Sequence, residues 1–144
     1  MNYLRLGLAA ISGLVASFAV GFLIMGLAPA LLEEARKYPS VFRPKEEMFK
    51  VMPVGIGGHF IAILIVAIIF AMIHRGRSGV TYGATNGALL GVLIGIFVLC
   101  TELQNFANFN IGLNLALGRA AAYFVQWTVI GIVIGLIYKP LSTP

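Results

Sequence analysis

The chain has 144 residues, 60% of them hydrophobic and 10% charged, with a mean hydropathy of +0.97. A water-soluble domain carries about 25% charged residues, so a soluble globular fold is excluded. Ten Lys/Arg against five Glu and no Asp give a net charge of +5. The cations sit at the ends of apolar runs, without a helical stripe or interleaved aromatics, which fits lipid headgroups and speaks against a nucleic-acid surface. A spanning helix needs roughly 20 apolar residues, and this length holds four.

The first apolar run, Leu6 to Leu27, covers 22 residues. A secretory h-region is about 7–15 residues, so the run reads as a membrane span despite the small residues Ala28-Pro29-Ala30. Span one is placed at about residues 4–32, continuing into water through Glu33 and Lys37, an i,i+4 pair with the acid first, and stopping at Pro39. An amphipathic loop follows over 33–53 and lies on the membrane surface. It contains a helical turn opened by Pro44, with Glu46 paired to Lys50 and an apolar side from Phe42, Met48 and Phe49. Span two is 54–73, and the short basic stretch from His74 to Gly79 makes spans two and three antiparallel neighbours. Span three is 80–100. The Asn- and Gln-rich connection from Thr101 to Gly112 leaves both flanking helices free to extend into it, and span four is 113–138, closed by Lys139-Pro140. The expected fold is all-α: four transmembrane helices in an antiparallel bundle, forming one domain over residues 1–144.

A faint internal repeat pairs the ends of spans two and four (Ala67/Ala71 with Gly131/Gly135) at an offset of 64 residues. Gly13/Ser17/Gly21 align with Gly87/Gly91/Gly95 at an offset of 74. Two parallel repeated hairpins are one reading, and chance self-similarity of apolar sequence is the other.

In lipid, helices associate through close van der Waals approach at small residues rather than through burial. Span three carries Gly83, Gly87, Gly91 and Gly95 at strict i,i+4 spacing, a glycine-zipper pattern. Span one carries Ala9, Gly13, Ser17 and Gly21 at the same spacing, and span four carries Gly131 and Gly135. These faces serve packing within the bundle, or they join a second copy or a partner protein; both readings stand.

Polar groups gather towards the side of loops one and three. His59 lies six residues past Pro53, about 9 Å along the helix. Arg119, Tyr123 and Gln126 follow i, i+4, i+7 and share a face of span four. A charge inside a span costs about 2.5–3.5 kcal/mol on the insertion scale, so Arg119 needs an outlet or an anion, and Glu102 is the near-membrane acid outside loop one. His59, Glu102, Arg119, Tyr123 and Gln126 therefore form either a structural ion pair with an interfacial histidine or a polar vestibule for an anionic headgroup or small solute. The other histidine, His74, lies 15 residues from His59, about 22 Å away, so the two cannot share an ion. Cys100 is the single cysteine and reads as a packing residue. Phosphate-loop, H-E-x-x-H and Gly-x-Ser-x-Gly motifs are absent. No enzyme activity, cofactor or metal is expected.

Membrane orientation is nearly balanced. One side carries Arg5, Arg75, Arg77 and Lys139, the other Arg36, Lys37, Arg43, Lys45, Lys50 and Arg119. Counting cations alone favours loop one inside. Loop one also holds Glu33, Glu34, Glu46 and Glu47, while the opposing cations abut their spans directly. The reading adopted places both termini in the cytoplasm.

Three stretches carry a resemblance: Met1-Asn2-Tyr3-Leu4-Arg5, the segment from Tyr38 to Pro44, and the end from Gly131 to Pro140. With them, the chain resembles a group of small bacterial four-span membrane proteins, which implies a four-helix fold but no activity; the expected location is a bacterial inner membrane. Similarity to the small multidrug exporters stops at size, since span one lacks an embedded Glu. Three functions follow as expectations. The first is a non-catalytic accessory or structural subunit of a larger membrane complex. The second is a small homodimeric channel or transporter lined by Arg119, Gln126, Asn86 and His59. The third is a haem- or quinone-associated subunit resting on His59.

Overall fold

The computed structural model describes residues 2–74 and 79–138. The basic residues Arg75, Arg77 and Lys139, which bear on orientation, lie outside the described residues. Five helices are present among the described residues: α1 (Tyr3–Leu27), α2 (Pro29–Arg36), α3 (Lys45–Ile73), α4 (Val80–Asn108) and α5 (Leu113–Ile137). All but α2 are long and apolar enough to cross a membrane. The protein is an integral membrane protein with an all-helical fold.

The helix boundaries depart from the sequence reading at both sides of loop one. Span one ends at Leu27 rather than near Leu32. Pro29 has no N–H and disfavours the helical conformation in the residue before it, and Ala28 accordingly sits at φ −126°, ψ 62°. Pro29 then occupies the first turn of α2, where its missing N–H costs nothing. Pro53, read as the limit of loop one, lies inside α3 instead. Extended Pro44 opens that helix, Glu46 and Glu47 stand favourably in its first turn, and the chain continues helical to Ile73. The expected surface loop over 33–53 is thus α2, a turn and the opening of α3. Its ion pairs also differ: Lys37 pairs with Glu34 at 2.5 Å rather than with Glu33, and Arg43 lies 3.7 Å from Glu47. Lys37 holds the Glu34 carboxyl below its ordinary range, and Glu34 in turn raises Lys37. Helix α4 extends to Asn108 into the polar connection.

The transmembrane helices alternate in direction, and α5 is the central one. It packs on α4 along one side and on α1 along the other, while α3 lies against α1 and touches α5 lightly. Among the described residues, α3 and α4 meet near their joined ends, where the His74 ring lies 5.6 Å from that of Tyr82. They are not neighbours along their length, contrary to the expectation from the short turn. The glycine rows explain the arrangement. A Cβ on Gly83 would collide with the Gly135 carbonyl oxygen, one on Gly87 with that of Gly131, and one on Gly91 would lie 2.6 Å from that of Trp127. Two helices this close leave no room for a side chain, so α4 pairs with α5 rather than α3. The α1 row is also occupied: a Cβ on Gly13 would lie 3.0 Å from Ile63 and 3.5 Å from Ile130. Ile63, Phe70, Ile130 and Ile134 form the buried core between α1, α3 and α5.

Candidate functional site

Among the described residues, two polar groups join the helices inside the bundle, and they are separate. The outer one joins Glu102 of α4 to Arg119 of α5. Each lies six residues from its helix end, about 9 Å inward. Arg119 Nε is 3.2 Å from Glu102 Oε2, and Nη2 donates to Oε1 at 3.4 Å, where the Asn105 amide also donates. Glu102 is buried while Arg119 keeps 27% of its side chain exposed. The guanidinium sits between the rings of Phe42, 5.5 Å away, and Tyr123, 6.0 Å away. The sequence-derived trio of Glu102, Arg119 and Tyr123 is therefore brought together.

Helix α2 and the turn that follows it pack on the start of α5 beside this pair. The break at Ala28 turns Leu31 against Gly118, where a Cβ would overlap the leucine, and Tyr38 approaches Gly112 while donating to Glu34 at 3.3 Å. Leu31, Ala35, Tyr38 and Phe42 pack on Ile111, Leu115 and Ala116. An apolar cavity of about 130 Å³ remains beneath the α1–α2 bend, lined by Ile24, Leu31, Phe42 and Leu115, with Arg119 at its edge.

The second group lies deeper. Because α3 begins at Lys45 rather than after Pro53, His59 falls at the middle of that helix. Gln126 is central in α5, and Ser17 lies just past the centre of α1. Ser17 Oγ and His59 Nε2 are 2.7 Å apart. Gln126 Nε2 donates to the Ser17 carbonyl at 2.9 Å and to Ser17 Oγ at 2.7 Å. The Trp127 ring meets the histidine edge-on at 5.6 Å. Ser17 was missed as a polar site in the sequence because it completes a row of small residues. Its hydroxyl was the available signal, being the one polar side chain in the row Ala9-Gly13-Ser17-Gly21. His59 and Gln126 come together, but near the middle of their helices rather than in a vestibule shared with Glu102 and Arg119.

The remaining polar candidates are committed locally. Asn86 donates to Tyr82 O within α4, and His74 Nδ1 contacts Phe70 O at 3.0 Å. Among the described residues no three of His, Cys, Asp or Glu gather as a metal site. Comparisons with family models, curated proteins and solved structures give no match.

Proposed function

We propose that this protein is a non-catalytic subunit of a larger membrane assembly, and that the first half of α3 is the part that engages a transmembrane helix of the partner. The observation that carries the reading is the unequal packing of α3. From Glu46 to Gly58 every residue is exposed except Ile56, which is partly covered. A Cβ added at Gly55, Gly57 or Gly58 would meet nothing within 4 Å. Gly7 and Gly26 have similar open space, but singly. The segment combines Pro53 with three glycines, a composition poor for a lipid-facing helix by propensity and suited to close helix approach. At 100° per residue, Val54, Gly57, Gly58, Ile61 and Ile65 lie on the side of α3 away from His59. Val54, Ile61 and Ile65 are exposed at 78%, 58% and 51%.

The small-residue faces of α4 and α5 are spent on each other, so they contribute little to a partner. In this reading the protein resides in a bacterial inner membrane with both termini cytoplasmic, and α2 with its acidic and basic residues lies at the opposite surface. Purification in mild detergent, with mass identification of what accompanies the chain, tests the proposal. A stoichiometric membrane partner lost in Gly57→Leu/Gly58→Leu is expected. A monomer without a partner, under conditions that preserve other complexes of the same membrane, contradicts it.

A further inference from the structure

We infer that the gap beside Ser17, His59 and Gln126 is a binding site, open to the bilayer, for a neutral lipophilic molecule bearing a hydroxyl group. The hydrogen bonds fix the polarity of the site. A carbonyl oxygen only accepts, so the contact with Ser17 O sets the Gln126 amide with Nε2 towards α1 and Oε1 away from it. The same Nε2 donates to Ser17 Oγ, and the serine proton then goes to its other close neighbour, His59 Nε2. That leaves the imidazole proton on Nδ1. One donor, His59 Nδ1–H, and one acceptor, Gln126 Oε1, have no hydrogen-bond partner among the described residues.

Space lies beside them. Helices α1 and α3 are antiparallel, so Gly21, one turn beyond Ser17, and Gly55, one turn before His59, lie on the same side of the Ser17–His59 bond. A Cβ on Gly21 would meet only Gln126 Nε2, at 3.7 Å, and one on Gly55 would meet nothing. Two missing side chains thus leave a gap beside Gln126 Nε2, and the exposed side of α3 at Gly55 opens it to lipid. Hydrocarbon can neither donate nor accept, and an unpaired polar group there costs several kcal/mol. A hydroxyl group offers both functions that these atoms lack, accepting from Nδ1–H or donating to Oε1. A charged head does not match one donor and one acceptor with no charge at the same depth. The apolar remainder of the ligand extends into lipid past Gly21 and Gly55. This site uses the face of α3 opposite Gly57 and stands independently of the subunit reading.

Trp127 is the chain's single tryptophan and touches His59, so its fluorescence reports on the site. The test places the full-length protein in phosphatidylcholine nanodiscs and titrates a ring-brominated 4-decylphenol against its methyl ether. The phenol is expected to quench Trp127 saturably, with the ether about tenfold weaker for the loss of one hydrogen bond. Gly21→Leu, which fills the gap, and Gln126→Met are expected to abolish the saturable component. Equal quenching by phenol and ether, or quenching that only tracks partition into lipid, overturns the assignment. So does saturable quenching unchanged in a folded Gly21→Leu protein. The phenol–ether comparison in the unsubstituted protein decides the matter even where a variant fails to fold.

Discussion

Ser17 of α1 and His59 of α3, 42 residues apart in the chain, share a 2.7 Å hydrogen bond at the middle of the membrane-spanning bundle. Ser17 is 1% exposed, and its hydroxyl also receives the Gln126 amide. Three helices are joined at one oxygen atom. Ser17→Ala removes that oxygen and leaves the His59 nitrogen unpaired in an apolar setting. A loss of about 1–2 kcal/mol is expected, the upper part of the range measured for such bonds in membranes. Reversible unfolding in mixed micelles measures it, and Gly7→Ala, in open space, serves as the control that should cause no loss.

The α4–α5 contact is expected to be the least tolerant surface of the protein. Gly87→Ala and Gly131→Ala each drive a methyl group into a backbone carbonyl of the facing helix. Backbone cannot yield as a flexible side chain does, so each costs about 3 kcal/mol or more, the upper end for overpacking. A disulfide engineered between α4 and α5 reports the separation directly, and it should form in the parent and fail in either variant. Gly26→Ala, with nothing within 4 Å, should be neutral or gain up to about 1 kcal/mol from helix propensity.

The two ends of the Glu102–Arg119 pair are unequal. Arg119 is partly exposed between Phe42 and Tyr123 and can turn towards water, whereas Glu102 is buried. Arg119→Met therefore strands a buried carboxylate and is expected to cost about 3–5 kcal/mol. Glu102→Gln leaves a cation with an outlet and costs less. The double variant recovers most of the loss, and a double-mutant cycle in the same unfolding assay measures the coupling.

At the surface, Lys37 holds Glu34 below its ordinary range while Glu34 holds Lys37 above its own. A carboxylate with a lowered folded value contributes at pH above its unfolded value and loses that contribution as the pH falls through the folded one. Carboxyl carbon chemical shifts should show Glu34 titrating below the ordinary carboxylate range, and Lys37→Met should return it towards that range.

The membrane spans and the glycine row of α4 were readable directly, because apolar length and i,i+4 spacing survive whatever the helices pack against. The depth of His59 was not. Pro53 looks like a terminator, yet the helix begins at Lys45, and those added residues place the histidine at the middle of the helix rather than near its start. The α3–α4 turn suggested adjacent helices, but Gly83, Gly87 and Gly91 admit a backbone and choose α5. Glu102 and Arg119 were identifiable as partners because near-membrane opposite charges are scarce. Ser17 was not, since size alone places it among small packing residues and only the tertiary fold brings His59 and Gln126 to its hydroxyl.

The unpartnered face of α3 is the centre of the functional account, and site-directed crosslinking in native membranes tests it most directly. With Cys100, which is exposed, changed to Ala, a cysteine at Ile61 on that face is compared with one at Leu93 on the lipid-facing side of α4, where the side chain is 56% exposed. A short bifunctional reagent is expected to join the Ile61→Cys protein to one discrete membrane partner, identifiable by mass, and to leave Leu93→Cys unjoined. Gly57→Leu should abolish the adduct. No adduct at Ile61, or the same adducts at both positions, would contradict the proposal that α3 carries the protein's partner-binding face.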